Sequence, residues 1–152
     1  MADNPTHTPL GRLEQEAPAV TPELDNDGHP QRPNAAGGPV PPVFDRVRAL
    51  VNLVDDEELL QMAIALHLDE EPQIWRTIEA AIESGQGEEL RKVAHALKGS
   101  LHTLGAAPAG DAAAVLERQS GGSKVTRRVA ARALRLELDR LEPLLRAERK
   151  AA

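Results

Sequence analysis

The residues of this chain best suited to chemistry are His95, Lys98 and Gly99, with Arg91 one turn before the histidine and His102 two turns after it. A neutral imidazole that faces solvent is a competent nucleophile near neutral pH, because its ordinary pKa is about 6.5. At 100° per residue, Leu90, Val93, Ala94, Leu97, Leu101 and Leu104 gather between about 160° and 260° from His95 and form an apolar stripe. Arg91, Lys98, Gly99 and His102 fall within about 60° of His95, on the other side. The spacing therefore predicts a ring projecting to solvent from mid-helix, with cations a turn away in both directions. Lys98 can pair with an anion carried on the ring, and Arg91 can attract the same anion. Gly99 costs a helix interior about 1 kcal/mol against Ala. At i+4 from His95 it leaves bare surface where another protein's loop can approach the ring closely. Nucleophile, cation and gap describe a phosphoryl acceptor that meets its donor face to face.

The other candidate groups point elsewhere. His102 begins about 10 Å along the axis from His95, too far for a good two-histidine chelate, so no metal site is expected. His67 lies near the apolar stripe of an earlier helix and reads as a partly buried or boundary histidine. Trp75, the single tryptophan, reads as a core or edge anchor. The absence of Cys excludes disulfides, thiol nucleophiles, iron–sulfur clusters and cysteine zinc sites. No Gly-rich phosphate loop of P-loop type and no G-x-S-x-G elbow occurs, which leaves nucleotide-driven kinases and triad hydrolases without support.

These side chains need helices to hold them, and the composition supplies helix formers. Of 152 residues, 41% are hydrophobic but only 1% aromatic, which disfavours sandwiches and barrels. Nine of the twelve prolines fall in residues 1–42, together with six acidic and two basic residues and no aromatic. Such a segment cannot bury enough apolar surface to offset its ordering, so residues 1–42 are expected to be a disordered, acidic, Pro-rich tail. Residues 43–152 form the helical domain. Asp45 is placed to cap a short helix through about Leu53. Asp55 is then the expected N-cap of a long helix, with Glu58 as its capping-box partner. Leu60, Ile64, Leu68, Trp75, Ile78 and Ile82 continue that helix to about Glu83, with a kink or break expected at Pro72. A third helix should run from Glu88 to about Leu104 and stop at Gly105. A short fourth covers Gly110 to Gln119. Ser123 caps a last helix whose Ala130, Leu134, Leu138, Leu141 and Leu145 share one face, with Pro143 bending or ending it. Four substantial helices on short loops predict an all-α, antiparallel four-helix bundle with an extra short helix.

Charge divides along the domain: residues 43–90 hold twelve acidic and three basic residues, residues 118–150 four acidic and ten basic. Complementary solvated helix faces account for this more simply than a partner surface does. The net charge of −6 argues against a nucleic-acid partner held by phosphate neutralisation. The apolar runs are too short for a bilayer span and no signal-peptide pattern opens the chain, so a soluble, cytoplasmic protein is expected.

The stretch His95-Ala96-Leu97-Lys98-Gly99-Ser100, followed by Leu104-Gly105-Ala106, resembles the signature of histidine-containing phosphotransfer (HPt) domains, roughly H-x-L-K-G-[SA] and then G-A. Ala80-Ala81-Ile82-Glu83-Ser84-Gly85 and Glu89-Leu90-Arg91-Lys92-Val93-Ala94 match the family's approach to its histidine, and Asp56-Glu57-Glu58-Leu59-Leu60 the start of its first long helix. The resemblance covers about residues 43–146. It implies a four-helix bundle that relays phosphate between response-regulator receiver domains. It maps the phospho-acceptor onto His95, the phosphate-supporting lysine onto Lys98 and the small residue for partner approach onto Gly99; Arg91 and His102 are read as docking residues beside them. The resemblance also implies that Mg²⁺ and the reacting carboxylates belong to the receiver, so this chain needs no cofactor of its own. Leu101 departs from the pattern, standing where Ser or Ala is common, and the Ala-rich segment after Gly105 aligns loosely.

The expected function is thus a phosphorelay intermediate, a phosphoryl carrier without autonomous kinase activity. Its expected partners are receiver domains and a hybrid sensor histidine kinase, and it is expected to act as a monomer. A histidine kinase dimerisation helix would place an acidic residue after the acceptor and a proline soon beyond. Here Ala96 follows His95, and no proline lies between Pro72 and Pro108. The competing reading is an HPt-like adaptor that binds a receiver without accepting phosphate; retention of both His95 and Lys98 argues against it.

Overall fold

A computed structural model describes residues 40–151, and five helices account for nearly all of them: α1 (Arg46–Asn52), α2 (Glu57–Glu83), α3 (Gly87–Thr103), α4 (Ala107–Arg118) and α5 (Lys124–Ala151). The expected disordered tail, residues 1–42, lies outside the described residues except for its last three. Among the described residues there is no strand, and no helix is long and apolar enough to cross a membrane.

Helices α2 to α5 form a ring in which each packs on its two neighbours, α2 on α3, α3 on α4, α4 on α5 and α5 back on α2, while the diagonal pairs do not meet. This is the antiparallel four-helix bundle that the periodicity predicts. Its centre is filled by the large side chains of Leu60, Ile64, Ile78, Leu90, Leu97, Leu101, Leu116, Leu134, Leu138, Leu141 and Leu145, each almost wholly removed from water. Burying one such side chain contributes about 2 kcal/mol. Leu101 is among them, so this larger residue is accommodated within the core rather than displaced from it. Trp75 stands half-buried at the α2–α5 seam.

The extra helix α1 fixes the end of the bundle near α3. Asp45 caps α1 by accepting from the Arg48 amide at 2.9 Å, as the sequence indicates. The Asp45 amide donates to the Gly105 carbonyl at 2.8 Å, and Asn52 Nδ2 donates to the carbonyls of His102 and Thr103. Gly105, just past α3, has φ +73°, and a Cβ there would collide with the Asp45 carbonyl. Only glycine serves both the left-handed turn and this close approach. The guanidinium of Arg46 joins Glu57 of α2 to Glu148 of α5.

Two local expectations are corrected and two are narrowed. The N-cap of α2 is Asp56, whose side chain accepts from the Leu59 amide at 3.0 Å, not Asp55. Val54 and Asp55 both take positive φ to turn the chain between α1 and α2, which leaves Asp56 as the first residue able to cap; Leu59 then occupies the position a capping box needs, and no such box forms. Of the kink or break expected at Pro72 the break does not occur, and of the bend or end expected at Pro143 the end does not: α2 and α5 run through both residues. Each removes one helical donor, but the buried residues on both sides of it keep the flanking turns packed on the same core. Finally, α4 begins at Ala107 rather than Gly110, with Pro108 in its first turn, where a missing amide hydrogen costs nothing.

Part of the divided charge is paired between helices. Glu83 pairs with Lys124 and Arg128, and Glu71 pairs with Arg135, so acidic α2 is laced to basic α5 along their antiparallel seam. Arg135 also lies over the Trp75 ring, 4.9 Å from its centroid. His67, expected to be partly buried or at the boundary, is buried beside Glu71, and burial depresses its pKa, outweighing Glu71, Glu70 and Glu142.

Candidate functional site

Helix α3 is built to present one side chain. Leu90, Ala94, Leu97, Leu101 and Leu104 are buried against the core, and the ring of His95, on the other face, is 60% exposed. The site lies on the outer surface of the α3–α4 seam, across the bundle from the α2–α5 seam. Two glutamates in the first turn of α3 and His102 in its last turn complement the helix dipole.

The residue that organises this surface comes from α4. Glu117 reaches across the seam, and its Oε2 lies 2.7 Å from His95 Nδ1 while its Oε1 lies 2.8 Å from Lys98 Nζ. A carboxylate can only accept, so Nδ1 carries the proton and donates it to Glu117. The ring is thereby held in the tautomer whose Nε2 lone pair faces outward. Lys98 is 21% exposed and Glu117 is 18% exposed, so the two are partly shielded while the ring is open. Burial works to raise the carboxyl of Glu117, but hydrogen bonds from Lys98 and His95 prevail and hold it below its ordinary value. Glu117 is fixed from behind as well, since its backbone carbonyl accepts from Ser120 Oγ at 2.7 Å.

Gly99 is exposed, and a Cβ placed there would meet nothing within 4 Å. Among the described residues no packing requires a glycine at this position, so its helix cost is offset by nothing inside the bundle. Arg91 is turned back on its own helix, where it pairs with Glu88 at 2.7 Å; the Glu88 hydrogen bond and charge raise its pKa, with a smaller contribution from Glu117. His102 donates from Nε2 to Asp111 Oδ1 at 3.1 Å, and its ring lies against Gly110, where any Cβ would clash with it. His95, Lys98 and Glu117 thus form one hydrogen-bonded group, while Arg91 and His102 stand on its rim with partners of their own. Among the described residues, no cluster of three or more His, Asp or Glu side chains is arranged to hold a metal ion.

Glu117 is absent from the motif that marks the site in the sequence. Glu117 lies eleven residues after Ala106 and His95 eleven before it, and His102 and Asp111 lie four before and five after, so both pairs nearly mirror each other about the α3–α4 turn. Folding α3 onto α4 about that turn is the signal that pairs them.

The family model described as Hpt domain matches residues 58–143, a span that includes His95, Lys98, Gly99 and Glu117. No curated protein and no solved structure matches the chain.

Proposed function

The chain belongs to the Hpt domain family, whose members carry phosphoryl groups in two-component signalling, and we propose that it is a phosphorelay intermediate with His95 as its phosphoryl acceptor. The observation that carries the reading is the state of the His95 ring. It is exposed, its Nδ1 proton is engaged by Glu117, and its Nε2 has no hydrogen-bond partner among the described residues.

In the proposed step a receiver domain docks over α3 with an aspartyl phosphate facing Nε2. The Nε2 lone pair attacks phosphorus, the N–P bond forms, and the O–P bond breaks with its electron pair returning to the receiver's carboxylate. Lys98 offsets the charge of the phosphoryl oxygens beside the ring. Gly99 leaves room for the docking loop, and Arg91 and His102 contact the partner at the rim. The receiver supplies Mg²⁺ and the reacting carboxylate, so this chain contributes no cofactor. The reverse step passes the group to a second receiver. A hybrid sensor histidine kinase stands upstream as the source of the phosphoryl group. The protein acts as a monomer in the cytoplasm, without nucleic acid or membrane as partner.

The test is phosphoryl transfer from a panel of radiolabelled phospho-receivers of the same organism, with His95→Gln as control. Acid-labile, alkali-stable label on the wild type alone is the expected result. Receiver binding with no label would replace the proposal with the non-transferring adaptor reading.

A further inference from the structure

A ring that transfers phosphate must manage a proton as well as a nucleophile. When Nε2 attacks phosphorus, the imidazole becomes a cation with its proton still on Nδ1. An isolated exposed ring would release that proton to water at neutral pH, and the neutral phosphoimidazole left behind is a poor leaving group. The protein places a carboxylate against this proton. The Nδ1 to Oε2 separation of 2.7 Å is that of a charge-assisted hydrogen bond. The second oxygen is anchored by Lys98 at 2.8 Å, so the carboxylate is gripped at two points and cannot easily swing away.

We propose that Glu117 retains the Nδ1 proton of His95 through the whole transfer cycle, so that the phosphorylated ring stays an imidazolium whose N–P bond breaks readily toward an acceptor. On loading, the N–P bond forms and the positive ring is balanced by the Glu117 carboxylate. On unloading, the N–P electron pair returns to the ring, which is again a neutral imidazole with its proton on Nδ1. No proton has to enter or leave in either direction. Glu117 is a positioning residue here, acting through the ring, and it sets how strongly the phosphohistidine favours giving up its phosphate. The accompanying cost is faster loss of the group to water. The other charged groups on the two helices are Glu88, Glu89, Arg91, Lys92, Lys98 and His102 on α3 and Asp111 and Arg118 on α4; Glu88 is paired with Arg91 and Asp111 with His102, so Glu117 is the carboxylate that contacts the His95 ring and favours its protonated form. Its own ionisation is secured because Lys98 and His95 hold its carboxyl low against the effect of burial.

The proposal rests on His95 being the acceptor, and the experiment separates the two. The full chain is phosphorylated with phosphoramidate as wild type, Glu117→Gln and Glu117→Ala, and loss of the phosphohistidine signal is followed by phosphorus NMR from pH 5 to 9. Glutamine keeps the size and an acceptor oxygen but removes the charge. In both variants the pH at which the signal becomes labile should fall by about one unit, and the half-life near pH 7.5 should lengthen several-fold to about tenfold. A merely structural role would lower the amount of label without moving that midpoint. Wild type and both variants with coincident pH profiles would overturn the role of Glu117 and leave His95 standing. A wild type that takes no label at His95 would overturn both.

Discussion

At the α3–α4 seam His95, Glu117 and Lys98 stand together with the ring 60% exposed; at the α2–α5 seam His67, Glu71 and Arg135 stand together with the ring side chain 4% exposed. Both groups combine an imidazole, a carboxylate and a cation, and both join neighbouring helices. In the buried group, Glu71 Oε1 accepts from Arg135 at 2.8 Å, the His67 ring is 3.8 Å from the other oxygen, and Arg135 is also held by Asp139 and Trp75. Burial disfavours the charged imidazole there, and no phosphoryl donor can reach it. In the exposed group the carboxylate reaches one ring nitrogen and leaves the other to solvent. Residue type alone therefore does not tell the two histidines apart. Access to one nitrogen, with the other held, separates the two seams.

Substitution of the two histidines should give the widest contrast. His95→Gln should abolish phosphorylation while urea unfolding shifts by no more than about 0.5 kcal/mol, as for an ordinary surface change. His67→Ala should accept phosphate normally but lose about 2 kcal/mol of stability, because it leaves a cavity in the α2–α5 seam. If both lost labelling, the seams would not be functionally distinct. The next largest effect is expected for Glu71→Ala, which deprives Arg135 of its most buried partner and should cost about 2 kcal/mol in urea unfolding, below the range for a fully buried pair because Arg135 is partly solvated and keeps Asp139. Labelling at His95 should be unaffected.

Acid should then separate the seams by pH. The pKa of His67 is depressed in the folded protein, so the unfolded chain binds the extra proton first as pH falls. Its contribution is fully present above the unfolded value of about 6.5 and is lost progressively below it, by up to about 1.4 kcal/mol per pH unit. Replacing His67 by Gln should flatten that limb in urea titrations at pH 7.5 and 5.5. Glu117 is depressed too, but as a carboxyl it loses its contribution only below about pH 4.5, so Glu117→Gln should leave the upper limb unchanged. The smallest loss of transfer belongs to Gly99→Ala, which should also stabilise α3 by up to about 1 kcal/mol because the added methyl meets nothing. The same change should slow transfer from a docked receiver several-fold in a single-turnover assay. An unchanged rate would remove Gly99 from the docking surface.

Much of this arrangement was legible along a single strand of text because it is local. The outward direction of His95, the burial of Leu90, Ala94, Leu97 and Leu101, and the placing of Lys98 and Gly99 one turn on all follow from the pitch of one helix. So do the caps at Asp45 and Ser123, the latter's hydroxyl accepting from the Thr126 amide at 3.1 Å, and the stop at Gly105, since each depends on a few adjacent residues. What escaped was whatever depends on a second helix. Asp56 replaced Asp55 as a cap because the α1–α2 turn claims Asp55. Pro72 and Pro143 stayed within helices because packing on the core outweighs one missing hydrogen bond each. His67 is buried beside Glu71, which Arg135 of α5 holds, and the acidic and basic halves found one another across α2 and α5.

Glu117 is the clearest case. Nothing within its own turn distinguishes it from the other glutamates of the chain, and it lies twenty-two residues beyond His95. Helical periodicity says which way a side chain points from its own axis, and that sufficed to single out an exposed imidazole. It carries no information about what stands opposite. That is set by how two helices fold back and close on each other, and only this packing brings a carboxylate to Nδ1, chooses the tautomer and leaves Nε2 facing solvent.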